Sequence, residues 1–82
     1  MMADHDHMRV EFTIEPWKDD GHPPYVEAAL ATARASGLPV DLGPFGTGVE
    51  GSASELYRLI PLVLEAALIA GAERVSLQIS RP

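Results

Sequence analysis

One stretch, Leu42-Gly43-Pro44-Phe45-Gly46-Thr47-Gly48-Val49-Glu50-Gly51-Ser52, leaves the chain few choices. Pro44 presets φ for the second position of a β-turn and Gly46 suits the fourth, so Gly43 to Gly46 is predicted to form the tip of a hairpin. Thr47 to Gly51 then reads as a short strand interrupted by glycines, which in strands mark a bulge or the close approach of another backbone or a ligand. Ser52 stands three residues before Glu55, the spacing of a capping box in which hydroxyl and carboxylate each satisfy a free donor at a helix start. Hairpin, strand and helix therefore follow one another without a linker.

The other elements arrange themselves around this stretch. Val10, Phe12 and Ile14 alternate with Glu11, Thr13 and Glu15, predicting a half-buried strand that Pro16 ends. Pro23 or Pro24 suits a first helical turn, the alanine-rich segment to Ala35 favours helix, and Gly37 supplies a left-handed cap, so a helix is predicted from about Tyr25 to Ser36. Its buried stripe is Val26, Ala29, Leu30 and Ala33. Leu38, Val40 and Leu42 make a second strand. A second helix is predicted from about Ser54 to Ala70, with Leu56, Leu59, Ile60, Val63 and Ala67 toward the core and a kink at Pro61. Gly71 ends it, and Val75, Leu77 and Ile79 alternate through a last strand.

Strand, helix, strand, strand, helix, strand with right-handed crossovers predicts an α+β fold. It is the ferredoxin-like βαββαβ sandwich: a four-stranded antiparallel sheet, strands one and three central, with two helices on one face. Parity turns Phe12, Ile14, Val40, Val49, Val75 and Leu77 toward the helices. The open face then carries Glu11, Thr13, Glu15, Asp41, Glu50, Ser76 and Gln78, with Ser52 at its margin, a negative surface with no lysine or arginine on the same strands after Arg9. Such a face suits a cation, but on the residues alone a solvated surface or a self-complementary interface is the better reading.

Composition removes several function classes. The formal charge is −6, with 6 basic against 12 acidic residues, and argues against nucleic acid, whose phosphates demand a basic surface. Without cysteine there is no disulfide, thiolate metal site or cysteine nucleophile. Asp4, His5, Asp6 and His7 alternate as metal ligands do, but lie in a segment, residues 1–8, read as a frayed tail ahead of one domain spanning 9–82. His22 falls in a loop, and no Ser-His-acid constellation is legible, so no enzyme, cofactor or metal is expected. The start is polar and the apolar run Leu59 to Ala70 is short and contains Glu65, so no leader or membrane span is expected and the default location is the cytoplasm. A chain of 82 residues with a second helix also apolar at Leu62, Leu64, Leu68 and Ile69 is expected to form a homodimer or homotetramer. Trp17 is either a lid on the core or an aromatic wall of a site. It and Phe45 are placed at opposite ends of the sheet, to meet only across protomers.

Gly43-Pro44 followed by Thr47, then Val49-Glu50-Gly51, a helix, and Gly71-Ala72-Glu73-Arg74-Val75 resembles the small thiamine-binding family of ferredoxin-like proteins. The strand ending in Pro16, the helix from about Tyr25 and Ser36-Gly37-Leu38 extend the resemblance over roughly Val10 to Ile79; Gly46 and Gly48 depart from bulkier residues expected there. The resemblance implies reversible binding, without chemistry, of thiamine or a related cationic small molecule at a protomer interface beside the hairpin. Thiamine combines a cationic thiazolium with an aminopyrimidine whose donors and acceptors Glu, Thr or Gln can meet. Glu50 is the leading ligand-binding candidate, followed by Thr47, Phe45, Glu11, Thr13 and Gln78. Strict alternation puts Thr47 on the helix side, so its part requires the glycine-rich strand to twist or bulge. The other reading is an oligomeric structural or regulatory module with no ligand.

Overall fold

The computed structural model describes residues 6–18, 21–43 and 46–81. Its elements are β1 (His7–Glu15), α1 (Pro24–Ala35), β2 (Val40–Gly43), β3 (Gly46–Ser52), α2 (Ala53–Ile69) and β4 (Arg74–Ser80). The strands form one sheet in the order β2-β3-β1-β4, every neighbouring pair antiparallel. This is the α+β ferredoxin-like arrangement, with β1 and β3 central.

Local chemistry fixes the boundaries. Pro24 opens α1, where a missing N–H costs nothing, and Gly37 beyond its end takes φ +80°, the left-handed cap that glycine allows. Ser52 closes β3 and caps α2 at once: its hydroxyl accepts from the Glu55 N–H at 3.2 Å, and its own N–H donates to Glu55 Oε1 at 2.9 Å. The Ser52 backbone N–H first, and then its side chain, hold the Glu55 carboxyl below its ordinary pKa. The α2 helix runs unbroken through Pro61, which lies on its exposed side. Gly43 pairs with Gly46 and Leu42 with Thr47, so β2 and β3 form the expected hairpin; Pro44 and Phe45 lie outside the described residues.

Val10, Phe12, Ile14 and Val49 from the sheet are buried against Ala29, Leu30, Ala33, Leu56, Val63 and Ala67 of the helices. The alanines let helix and sheet approach closely. One expected boundary is corrected: β1 begins at His7, so the last two residues of the predicted tail belong to the sheet, His7 opposite Ser52 and Met8 opposite Gly51. Met8 is buried because it continues the inward period of Val10 and Phe12.

Candidate functional site

The face of the sheet away from the helices is organised by its register. Asp41, Gly48, Glu11 and Gln78 form one row across all four strands, and Glu50 sits opposite Arg9 in the next. Three carboxylates from three strands thereby surround one guanidinium. Arg9 Nη1 donates to Glu50 Oε2 at 3.0 Å and Nη2 to Asp41 Oδ2 at 3.4 Å, while Nε lies 3.6 Å from Glu11 Oε2. His7 Nε2 lies 2.9 Å from the other oxygen of Glu50. The Arg9 side chain crosses directly over Gly48, where a Cβ would overlap the guanidinium, so a glycine at that position is what lets Arg9 reach β2.

The cluster perturbs its own titration. Partial desolvation of Arg9 works against its charge, but the bonds to Glu50 and Asp41 prevail and raise its pKa further. Glu50 is held below the ordinary carboxylate value, first by the bond to His7 and then by that to Arg9. One guanidinium against three carboxylates leaves the group net negative at neutral pH.

Bordering this cluster lies an open cleft of about 550 Å³, its polar wall made by Arg9, Glu11, Thr13, Asp41, Ser76 and Gln78. It exists because Gly43, Gly46 and Gly48 contribute floor and no side chain. Carboxylates, hydroxyls and an amide together offer both acceptors and donors to a polar heterocycle and a counter-charge to a cation.

Of the residues predicted for the site, Glu11, Thr13 and Gln78 meet at this cleft. Glu50 is on the same face but engaged by His7 and Arg9 rather than lining the cleft. Thr47 does not join them. The pairing of β3 with β1 and β2 runs through Thr47, Gly48 and Val49 without a slip, so no bulge turns Thr47 over, and it stays on the helix side, 6% exposed. Phe45 lies outside the described residues. Arg9, the exception already noted on the acidic face, proves to be its centre. Its parity with Glu11 signalled the face; its lateral reach across Gly48 was the unread part. Asp4 and His5 also lie outside the described residues, and His7 sits in β1 beside Glu50.

A second correction concerns Trp17. Because β1 and β3 are antiparallel, the end of β1 and the start of β3 share one end of the sheet, and Trp17 lines a smaller cleft, about 180 Å³, together with Gly43 and Gly46 of the same protomer. No protomer exchange is needed to bring Trp17 to the hairpin. Among the described residues, no helix is long and apolar enough to cross a membrane.

Comparison with known proteins follows the same lines. A family model described as thiamine-binding protein matches residues 10–80. No curated protein matches. Among solved structures, a DUF77 domain of unknown function from Bacillus cereus superposes with a TM-score of 0.69 at 24% identity, covering 92% of this chain and 73% of that one. A Streptococcus pneumoniae protein gives 0.71 at 20% identity, covering 90% and 82%. A Thermotoga maritima protein assigned provisionally to thiamine biosynthesis or salvage gives 0.67 at 24% identity, covering 90% and 80%. At these identities the likeness carries the fold.

Proposed function

The chain belongs to the thiamine-binding protein family, and from that premise we propose that it binds thiamine or a closely related cationic heterocycle without transforming it, on the open face of the sheet. The observation that carries this reading is the net-negative cluster of Glu11, Asp41 and Glu50 around a single Arg9, beside a cleft floored by glycines. Glu11 and Asp41, each in contact with Arg9 and each lining the cleft, supply the counter-charge; Thr13, Ser76 and Gln78 supply hydrogen bonds. Glu50, the leading candidate on sequence grounds, acts from the rim by holding Arg9 in place. The Thermotoga maritima structure, by its provisional assignment to thiamine metabolism, is consistent with this.

Calorimetric titration with thiamine tests the proposal. A saturable heat is expected that weakens with added salt, since screening over about 10 Å at 0.1 M dampens exposed charge. Absence of binding at low salt contradicts it.

A homodimer or homotetramer is the proposed assembly, and Tyr57, Leu62, Leu68 and Ile69 on α2 favour it because they remain exposed, Ile69 to 80%. These exposed side chains also favour the second reading, an assembly module with no ligand. Sedimentation equilibrium is expected to give a multiple of the 8.8 kDa chain; a monomer at micromolar concentration contradicts the assembly.

A further inference from the structure

The cleft beside Trp17 differs in character from the acidic one. Its walls are largely apolar, with Phe12, Trp17, Val26 and Leu42 among them; among the described residues no carboxylate lines it, and the ionisable groups there are Lys18 and His22. Phe12, Thr13, Gly43 and Gly46 line both clefts, so the two are contiguous around the hairpin end of the sheet.

Among the described residues that line it, one polar side chain is both buried and without a partner. The Thr47 hydroxyl makes no hydrogen bond, although the residue is more than nine-tenths buried. No fully enclosed side-chain polar atom among the described residues is unsatisfied, so this hydroxyl reaches solvent, and the opening that Thr47 lines is this cleft. Burying a hydroxyl without a partner is unfavourable, and a ligand atom that hydrogen-bonds it removes that cost. Trp17 is suited to cover such a ligand. The Tyr25 hydroxyl donates to the Pro16 carbonyl at 2.7 Å, tying the chain just before Trp17 to the first turn of α1, while the indole stays 61% exposed.

We infer that the Trp17 cleft is a second subsite that takes an uncharged planar ring, contacted by Trp17 and hydrogen-bonded by Thr47, so that a two-ring ligand spans the hairpin end with its cationic ring over Glu11 and Asp41. The inference rests on the reading of the acidic face as a cation site. Charge favours this orientation from the acidic side, where Glu11 and Asp41 line the cleft; on the Trp17 side Lys18 is the described cation, and His22 is paired with Glu27 at 3.1 Å. An anion is the poorer occupant: Pro24 has no N–H, and the Val26 and Glu27 amides both donate to the Pro23 carbonyl, leaving the start of α1 few free donors.

Trp17 is the sole tryptophan, so its emission reports this subsite alone. Thiamine, its aminopyrimidine half and an N-methylated thiazolium half are titrated into wild type and Thr47→Val, following heat and emission. Thiamine and the aminopyrimidine are expected to change Trp17 emission and the thiazolium to leave it unchanged. Thr47→Val is expected to weaken the first two by about three- to tenfold, the loss of one neutral hydrogen bond, and to spare the third. If thiamine binds by calorimetry while Trp17 emission stays constant and Thr47→Val binds equally, the second subsite is overturned and the acidic-face site stands. If thiamine does not bind at all, both fall. The emission result needs only wild type, so it decides the matter even if the variant folds poorly.

Discussion

The two faces of the sheet are drawn from the same strands, one residue apart, and are built in opposite ways. Toward the helices, Val10, Phe12, Ile14 and Val49 fill the available space and are buried. On the other side Arg9, Glu11 and Thr13 stand beside positions where β2 and β3 have no side chain at all, Gly43, Gly46 and Gly48. Val49 and Gly48 show the contrast most directly. The first is a fully enclosed wedge against the helices; the second is a gap over which Arg9 lies. A filled face specifies the fold, because close-packed interiors tolerate little change in volume. An emptied face leaves backbone exposed and carries charge, which contributes little to stability and determines what can bind.

Substitutions that respect or cross this division sharpen it. Phe12→Ala is expected to cost about 3 to 5 kcal/mol in urea unfolding, through lost burial and a cavity, whereas Gln78→Ala on the open face is expected to change stability by no more than about 0.5 kcal/mol. Comparable effects at the two positions would dissolve the comparison. Gly48→Ala is expected to have a smaller effect than Phe12→Ala, acting through Arg9, which must leave its place over β3. A double-mutant cycle separates that cause from a backbone effect: with Arg9→Gln already present, Gly48→Ala should lose most of its cost, and strict additivity would show the two to be independent.

The smallest expected effect is acidic. Glu50 is held below the ordinary carboxyl value of 4.5 in the folded state. The folded protein therefore binds fewer protons than the unfolded chain, and the stabilisation is present above about pH 4.5 and lost as pH falls through the folded value. Glu55 behaves in the same sense at the α2 cap. Glu50→Gln should flatten the part of the acid limb of stability that belongs to the open face, with Glu55→Gln flattening the part from the cap; an unchanged pH profile in Glu50→Gln would remove the cluster as a source of stability.

The fold was legible because its boundaries are written in local chemistry. Pro24, Gly37 and the Ser52–Glu55 box each act within a few residues, and parity alone separates Phe12 from Glu11. The site was less legible wherever it depends on reach across strands. Parity gives Arg9 a face but not the crossing over Gly48 that joins it to Asp41, so its central place among the carboxylates is not legible in the sequence. Trp17 and the hairpin share one end of the sheet through the antiparallel pairing of β1 with β3, which alternation within either strand does not show. His7 reads as tail because its neighbours are polar, yet His7, Met8 and Arg9 alternate outward, inward, outward as β1 does. Thr47 was read correctly by parity as facing the helices, and only the structure shows a cleft there for it to line.

The most direct test of the open face as a cation site is calorimetric titration of thiamine into wild type and into the double variant Glu11→Gln, Asp41→Asn, with unfolding in urea confirming that both are folded. Wild type is expected to bind, and the double variant to bind about ten- to a hundredfold more weakly, the cost of losing charged partners from a binding site. Equal affinity in the two proteins would contradict the assignment of the ligand to the acidic face.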